Sequence, residues 1–592
     1  MQKLLKLLPT NKEEMRQRGW HECDVIFITA DAYCDHPSFG VALLSRLLED
    51  EGYKVGIIAQ PDWHKNDDFL KLGLPRLFFG ITAGNLDSML NIYTSNMNLR
   101  RQDKYSPGGA VGLRPKLPTI VYANKARELF SGVPVVIGGI EASLRRLTHY
   151  DFWSDKVKRS ILFDAKADML VYGMGERQVS ELAGRLKKGE AIEDINDIRG
   201  TVVARKDLSF LESFVSLPSF EEVAADKNKF ADAFNLYSGE LDPFSARSVV
   251  QKIDTRFCVQ LPAALPLTTQ ELDRIYALRF TRRCHPQYEA FGGVPALKTV
   301  EHSITSHRGC SASCSFCSLS LHQGRIIQSR SRESIVREAE DISSRPGFKG
   351  VISDVGGPTA NMYAAVCAIN PVRDKTPETS DGCLRQPVSN GVKNMCKKTD
   401  CLWPKICPNF KLDCAKQLEV LRALRSLKGV KQVNIQSGVR YDLLLIPEAK
   451  AYFKELCCYH VSGQLKVAPE HVSDKVLHLM RKPAFKAYEE FVRAFDEINR
   501  ASGEVPGKAK KQYLVQYFIT AHPGCDADDA LKLAQFTKSM GYTPEQIQDF
   551  IPLPMTRSSV MYYTGLDPAT GKQLYVPKGK SERAKQRHLI QP

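Results

Sequence analysis

Two kinds of apolar pattern alternate along this chain. The first is the short run rich in β-branched residues, and 24–29, 54–59, 76–81, 133–137 and 168–172 all read as strands. The second is the amphipathic stretch with helical spacing, as at 41–51, between the first two runs. Strand, loop, helix, strand is the βαβ unit of a parallel sheet. Glycines follow these runs at Gly84, Gly138, Gly139, Gly173 and Gly175. Glycines at the carboxyl ends of parallel strands mark where a doubly wound sheet forms its ligand crevice. Residues 1–200 are therefore expected to be an α/β domain on a doubly wound parallel sheet.

Over 201–300 the pattern weakens. Ser219 is placed to cap a helix, 262–266 looks extended, and 267–272 opens another helix. This predicts a bridging segment. From 301 the alternation resumes, with strand stretches expected at 301–306, 350–359, 431–442, 463–471, 512–520 and 547–554, and helices between them, such as 332–339. Polar residues stand at the carboxyl ends of these strands, where barrel enzymes carry their chemistry. A partial TIM-type (β/α) barrel over 301–562 is the expectation. The remainder, 563–592, carries Lys572, Lys578, Lys580, Arg583, Lys585 and Arg587. It reads as a solvated, mobile basic tail, with a nucleic-acid arm as the alternative.

Composition changes this picture little. The 592 residues are 43% hydrophobic, enough for about two to four domains with real cores. The apolar start at 4–8 is cut by Pro9, too short for a signal peptide, and no later run reaches a transmembrane length. A cytoplasmic protein without a membrane partner is expected. The net charge of +15 suits anionic partners, nucleic acid or phosphorylated metabolites, but is spread widely. The 16 cysteines read as metal ligands rather than disulfides in such a chain.

The chemistry concentrates at Cys310, Cys314 and Cys317, a C-x3-C-x2-C loop preceded by Gly309 and containing Phe316. Three thiolates suit a [4Fe–4S] cluster with one iron left open. The alternatives are a zinc site completed from elsewhere, or plain redox cysteines. A second group follows, with Cys367, Cys396, Cys401 and Cys407 as the expected ligands and Cys383 and Cys414 as substitutes. Its spacing fits structural zinc and an auxiliary iron–sulfur cluster equally well.

The loop at 310–317 resembles that of the radical S-adenosylmethionine (SAM) enzymes. His322 to Arg325, 329–331, 354–363, 437–442 and 468–471 together resemble the YgiQ family over nearly the whole chain. That resemblance implies a radical SAM barrel preceded by a cobalamin-binding-like sheet, SAM on the open iron, and its reductive cleavage to a 5′-deoxyadenosyl radical. It implies a low-potential electron donor such as flavodoxin or ferredoxin, but no substrate. By the same resemblance Gly356 and Gly357 meet SAM's amino group, while Arg440 and Glu470 contact its carboxylate and ribose. Methyl or methylthio transfer onto RNA or protein is the alternative reaction, and a non-catalytic iron–sulfur or zinc protein is the alternative class. The cobalamin pattern D-x-H-x-x-G falls on Asp35 to Gly40 with Pro37 at the ligand position and His36 one place off. An empty or repurposed crevice is therefore expected in place of bound cobalamin.

Overall fold

The computed structural model describes residues 6–369, 400–502, 512–542 and 544–591. The chain divides into two compact units. One comprises Met1–Pro266 with Arg274–Glu301; the other comprises Leu267–Asp273 with the described residues from His302 onward.

Nine strands make the sheet of the first unit: β1 Val25–Thr29, β2 Val55–Ala59, β3 Phe78–Thr82, β4 Val135–Gly138, β5 Met169–Val171, β6 Thr201–Arg205, β7 Phe214–Leu217, β8 Ser248–Ile253 and β9 Arg256–Gln260. Their order across the sheet is β7-β8-β9-β6-β5-β4-β3-β1-β2. Strands β1 to β5 are mutually parallel. Every residue of β1 is buried, as its unbroken apolar sequence requires of a strand covered on both faces. The chain winds outward from β1 to β2 on one side and through β3, β4 and β5 on the other. The gap between the ends of β1 and β3 is thus the switch point where such sheets bind ligands.

The stretch expected to bridge supplies four of these strands. Strand β6 turns the sheet antiparallel, pairing with β5 and β9, and β8 and β9 form a hairpin. Exposed and buried residues alternate in β7, and Lys252 of β8 is exposed. These half-polar strands lack the continuous apolar runs that mark β1 to β5, which is why the sequence pattern weakens here.

In the second unit six successive strand segments run parallel: β10 Ser303–Thr305, β11 Val351–Ile352 with Asp354–Gly356, β12 Gln432–Val433, β13 Gln464–Glu470, β14 Tyr513–Thr520 and β15 Gln546–Asp549. Strand β10 pairs with β11, β11 with β12, β13 with β14, and β14 with β15. A parallel bridge from Val439 to Val467 carries the series across from β12 to β13. Helices Arg332–Ser343, Cys414–Arg425, Lys450–Glu455, Phe485–Ser502 and Ala527–Ser539 fill the crossovers. Ile335, Ile352, Val355, Leu424, Val433 and Phe491 pack between strands and helices, giving a partial (β/α) barrel.

The basic C-terminal stretch is not a solvated tail. Lys580–His588 is a helix whose Arg583 and Gln586 are buried. Arg583 donates to the Phe550 carbonyl (2.6 Å), and Gln586 donates to the Cys525 carbonyl (3.0 Å) and accepts from Ala521 N–H (3.0 Å). Two long side chains satisfy backbone groups at the strand ends, which a count of charges does not reveal.

Candidate cluster and cofactor site

The cysteine loop leaves β10 and is held at both ends. Gly309 sits at φ +83°, and a Cβ there would lie 2.2 Å from the Ile326 carbonyl oxygen, so glycine is required for the backbones to cross. Gly309 N–H donates to the Gln323 side chain (3.2 Å) and Cys310 N–H to the Gly324 carbonyl (3.1 Å). The Ser311 hydroxyl donates to the Arg325 carbonyl (3.0 Å). The stretch at 322–329 is thereby the floor of the loop.

The far end hangs on a side-chain relay. Ser315 and Ser558 share a hydroxyl–hydroxyl bond of 2.7 Å, and Ser558 Oγ lies 2.7 Å from His522 Nε2. His522 Nδ1 lies 2.7 Å from the Pro523 carbonyl, which can only accept. Nδ1 therefore carries the proton and Nε2 accepts from Ser558, which in turn accepts from Ser315. Burial pushes the His522 pKa down to about 3, in keeping with this neutral tautomer. His307 is fixed in the same way: Nε2 lies 3.0 Å from the Thr359 carbonyl, Nδ1 faces the Ser306 hydroxyl (2.9 Å), and burial lowers its pKa to about 4.

The three thiols stand close enough to influence one another. Burial, then the Cys314 and Cys310 sulfurs, push Cys317 up to about 12; burial likewise raises Cys310. Thr359 Oγ1 lies 3.4 Å from Cys310 Sγ, and the Phe316 ring meets His522 edge-on at 6.5 Å.

Gly356 and Gly357 end β11. A Cβ on Gly357 would lie 2.6 Å from His307 O, and one on Gly356 would lie 2.9 Å from Ser437 Oγ. The Gly356 carbonyl accepts from Ser306 N–H (2.8 Å). Asp354, on the same strand, accepts the N–H groups of Gln436 and Ser437 (2.7 and 3.0 Å) and the Ser437 hydroxyl.

Arg440 and Glu470 sit at adjacent strand ends, brought there by the Val439–Val467 bridge. Arg440 is buried; its Nε donates to Asp442 (3.1 Å), while Nη2 has no hydrogen-bond partner. Its backbone is clamped by Asn361, which accepts from Arg440 N–H (2.8 Å) and donates to its carbonyl (2.9 Å). Asp442 and the Cys314 and Cys310 sulfurs outweigh burial and hold the guanidinium charged. Glu470 lies in the left-handed region at φ +69°, a conformation that costs a non-glycine residue about 1 to 3 kcal/mol and clusters at ligand sites. Burial pushes its carboxyl up to about 7, against Lys482 Nζ 3.6 Å away. Lys482 also stands 5.8 Å from the centre of the Tyr441 ring, whose buried hydroxyl has no hydrogen-bond partner.

These features test the fit of a cluster with SAM. The donor set is soft thiolate, and a buried cation with an unsatisfied N–H stands beside it. The residues fit. Asn361, Thr359, Ser558 and His522 were not expected as site residues, because their partners are distant in sequence.

Of the second cysteine group, Cys383 and Cys396 lie outside the described residues. Cys407 N–H donates to the Cys401 carbonyl (2.7 Å), closing a tight loop through Trp403 and Pro404. Cys367 pairs with Phe410 across a two-residue antiparallel contact. Leu402, Cys407 and Phe410 pack in one apolar cluster with Ala312 and Met362, and Cys310, Cys314 and Cys401 lie against it. Among the described residues no three His, Cys, Asp or Glu side chains are arranged to hold a single ion.

Cobalamin does not fit the switch point of the first unit. Arg114 lies across it, pairing with Asp31 (3.1 Å) and Asp103 (2.6 Å) and donating to the Ala83 carbonyl (3.2 Å). Asp31 is packed so tightly that a Cβ on Gly84 would lie 2.2 Å from its carboxyl carbon. Next to this, Arg145 pairs with Asp87, and Glu141 bonds Ser88 and Thr119 N–H. His36 is engaged by Arg282 (2.9 Å) and by Ser38 N–H (3.0 Å).

A doubly wound sheet followed along the chain by a partial (β/α) barrel that opens on a three-cysteine loop is the order of elements in the radical SAM class, and the family model "Radical SAM N-terminal" matches residues 7–303. A UPF0313 protein of Methanocella arvoryzae is 48% identical over 580 residues, 98% of this chain and 92% of that protein. One from Clostridium perfringens is 48% identical over 587 residues, 99% of this chain and 85% of that protein. The chain belongs to the UPF0313 family, the YgiQ-like radical SAM proteins. Among solved structures, the radical SAM methyltransferase TsrM from Kitasatospora setae aligns at 14% identity and TM-score 0.49, covering 90% of this chain and 74% of that one. The cobalamin-dependent enzyme OxsB aligns at 12% identity and TM-score 0.46, covering 98% of this chain and 57% of that one. Among the described residues no helix is long and apolar enough to cross a membrane.

Proposed function

We propose that this protein is a radical SAM enzyme in which Cys310, Cys314 and Cys317 hold one [4Fe–4S] cluster with an iron open to SAM. When bound, the two cofactors supply one-electron cleavage of the sulfonium to methionine and a 5′-deoxyadenosyl radical, the electron coming from a donor of the flavodoxin or ferredoxin class. The observation that carries this reading is Arg440, a buried cation whose Nη2 lacks a partner beside Cys310 and Cys314. We assign it to the carboxylate of SAM, with Gly357 lining the amino end and Glu470 facing the ribose. Asn361 and Asp442 aim Arg440, while Ser558 and His522 hold the cysteine loop. The proteins around such a cofactor pair bind, orient and exclude water.

The test is anoxic reconstitution with iron, sulfide, SAM and a strong reductant. Formation of 5′-deoxyadenosine is expected, abolished in Cys314→Ala, with iron and sulfide in that variant lower by about four per chain. Tetrahedral zinc on these three cysteines in anoxically purified protein would overturn the reading. A methylated RNA or protein product would instead make this a transferase of the same class.

We also assign a second thiolate-held centre, zinc or an auxiliary iron–sulfur cluster, to Cys401 and Cys407, its remaining ligands to come from among Cys367, Cys383 and Cys396. It is supported by the closed loop joining the first two and their packing beside Cys310. Metal content of the Cys401→Ala/Cys407→Ala protein tests it: a loss beyond the first cluster supports the assignment, and unchanged zinc and iron overturn it.

A further inference from the structure

Outside the cluster loop, two cysteines face each other in the first unit. Cys34–Asp35 follows β1, and Arg283–Cys284 pairs with it antiparallel, Cys284 opposite Cys34. His285 N–H donates to the Tyr33 carbonyl (3.0 Å), the bond lying just outside the cysteine pair. Cys34 and Cys284 are therefore a non-hydrogen-bonded pair, the position where side chains on neighbouring strands come closest, about 4.5 Å between Cα atoms. That separation lies within the range a disulfide spans. The two sulfurs are 2.9 Å apart, closer than unbonded sulfurs usually approach. Cys34 is buried among Tyr33, Phe39 and Tyr288, whereas Cys284 is partly exposed. The pieces are fixed from both sides: Arg282 N–H donates to the Asp35 carbonyl (2.8 Å), Arg46 pairs with Asp35 (2.5 Å), and Tyr33 N–H donates to the Tyr288 hydroxyl (3.1 Å).

We infer that Cys34 and Cys284 form a redox-active dithiol site whose co-reactant is an external disulfide, either a low-molecular-weight one or one in a protein. The accessible Cys284 thiolate attacks one sulfur of the incoming disulfide, forming a mixed disulfide and releasing the first thiolate. That thiolate takes the proton of Cys34. The Cys34 sulfur then attacks the Cys284 sulfur, closing the Cys34–Cys284 bond and expelling the second thiolate, which is protonated from solvent. The two cysteines are oxidised by two electrons, and the co-reactant is reduced to two thiols. The division of labour follows from the contact. The Cys34 S–H stabilises the thiolate of Cys284 and lowers its pKa, while that contact and burial raise the pKa of Cys34. Closing the bond needs under about 1 Å of sulfur movement, since an S–S bond is near 2.05 Å. Oxidation thus pins the loop after β1 to residues 282–285 without rearranging either.

The experiment uses the full chain, purified anoxically with its metal. It is freed of reductant, equilibrated with mixtures of reduced and oxidised glutathione, trapped by alkylation and digested. A single cross-linked species joining the Cys34 and Cys284 peptides is expected, reversed by dithiothreitol, with a defined midpoint potential. In Cys34→Ser a glutathione adduct should accumulate on Cys284; in Cys284→Ser the buried Cys34 should stay unmodified. Alkylation of both cysteines in wild type under excess oxidised glutathione, or separate adducts on each, would overturn the inference. The wild-type arm decides the question even if a variant fails to fold.

Discussion

Single positions at the site divide into those whose chemistry is visible in the sequence and those whose role is geometric. The cysteine triple was legible because soft ligands at that spacing have few other uses. Arg440 and Glu470 were legible as polar residues ending apolar runs. Asn361 was not, since its only signal is a clamp on a backbone 79 residues away. Gly309 combines both kinds. Replacing it with alanine forces a Cβ against the Ile326 carbonyl in a left-handed conformation, and a loss of about 2 kcal/mol or more is expected. Denaturant titration reads the loss, and reconstituted iron should fall with it. Glu470 gives a dependence on pH. Its folded pKa, about 7, lies above the ordinary carboxylate value of 4.5, so the folded state binds the proton more tightly. The stability this contributes is fully present below pH 4.5 and is lost as pH rises through 7, on the order of 3 kcal/mol in all. In metal-free protein, Tm should fall from pH 6 to pH 8, and Glu470→Gln should flatten that fall. Parallel profiles for the two proteins would show that Glu470 ionises normally.

Elements were legible where their patterns were pure. Strands β1 to β5 announce themselves as apolar runs, whereas β6 to β9 mix polar and apolar residues and are partly exposed, so their pairing is set by the sheet they join. The helix Lys580–His588 was hidden for a related reason, because its two buried residues are polar. The same limit applies to the helix Arg557–Thr564, whose Ser558 meets Ser315 across 243 residues of chain. Serine at a helix start reads as a cap, and nothing local marks it as the middle of a relay. Ser558→Ala leaves Ser315 Oγ and His522 Nε2 buried without their partner, at a cost of about 1 to 3 kcal/mol. Since the relay holds the loop end beside Cys314 and Cys317, iron should be lost from the variant faster than from wild type on dilution into chelator. Equal rates would confine Ser558 to general stability.

At the scale of the whole molecule, apolar runs mark which stretches become the parallel strands, but not what fills the crevice between them. The sheet of the first unit has its switch point between the ends of β1 and β3, a position that only the strand order reveals. What fills that point is set by Arg114 and Asp103, from a stretch of 83 to 117 with no strand pattern. Three buried charges satisfy one another there, so removing the cation strands two carboxylates in a low-dielectric site. Arg114→Ala should therefore cost about 3 to 5 kcal/mol, measured as a lower urea midpoint. Because the charged cluster already occupies the cleft, hydroxocobalamin added to the anoxic wild-type protein should remain free, eluting apart from the protein on gel filtration with an unchanged corrinoid spectrum. Stoichiometric co-elution would mean that the cluster yields to a ligand. In that case the Arg114 ion pairs are a gate, and the transferase reading gains the cofactor it lacks.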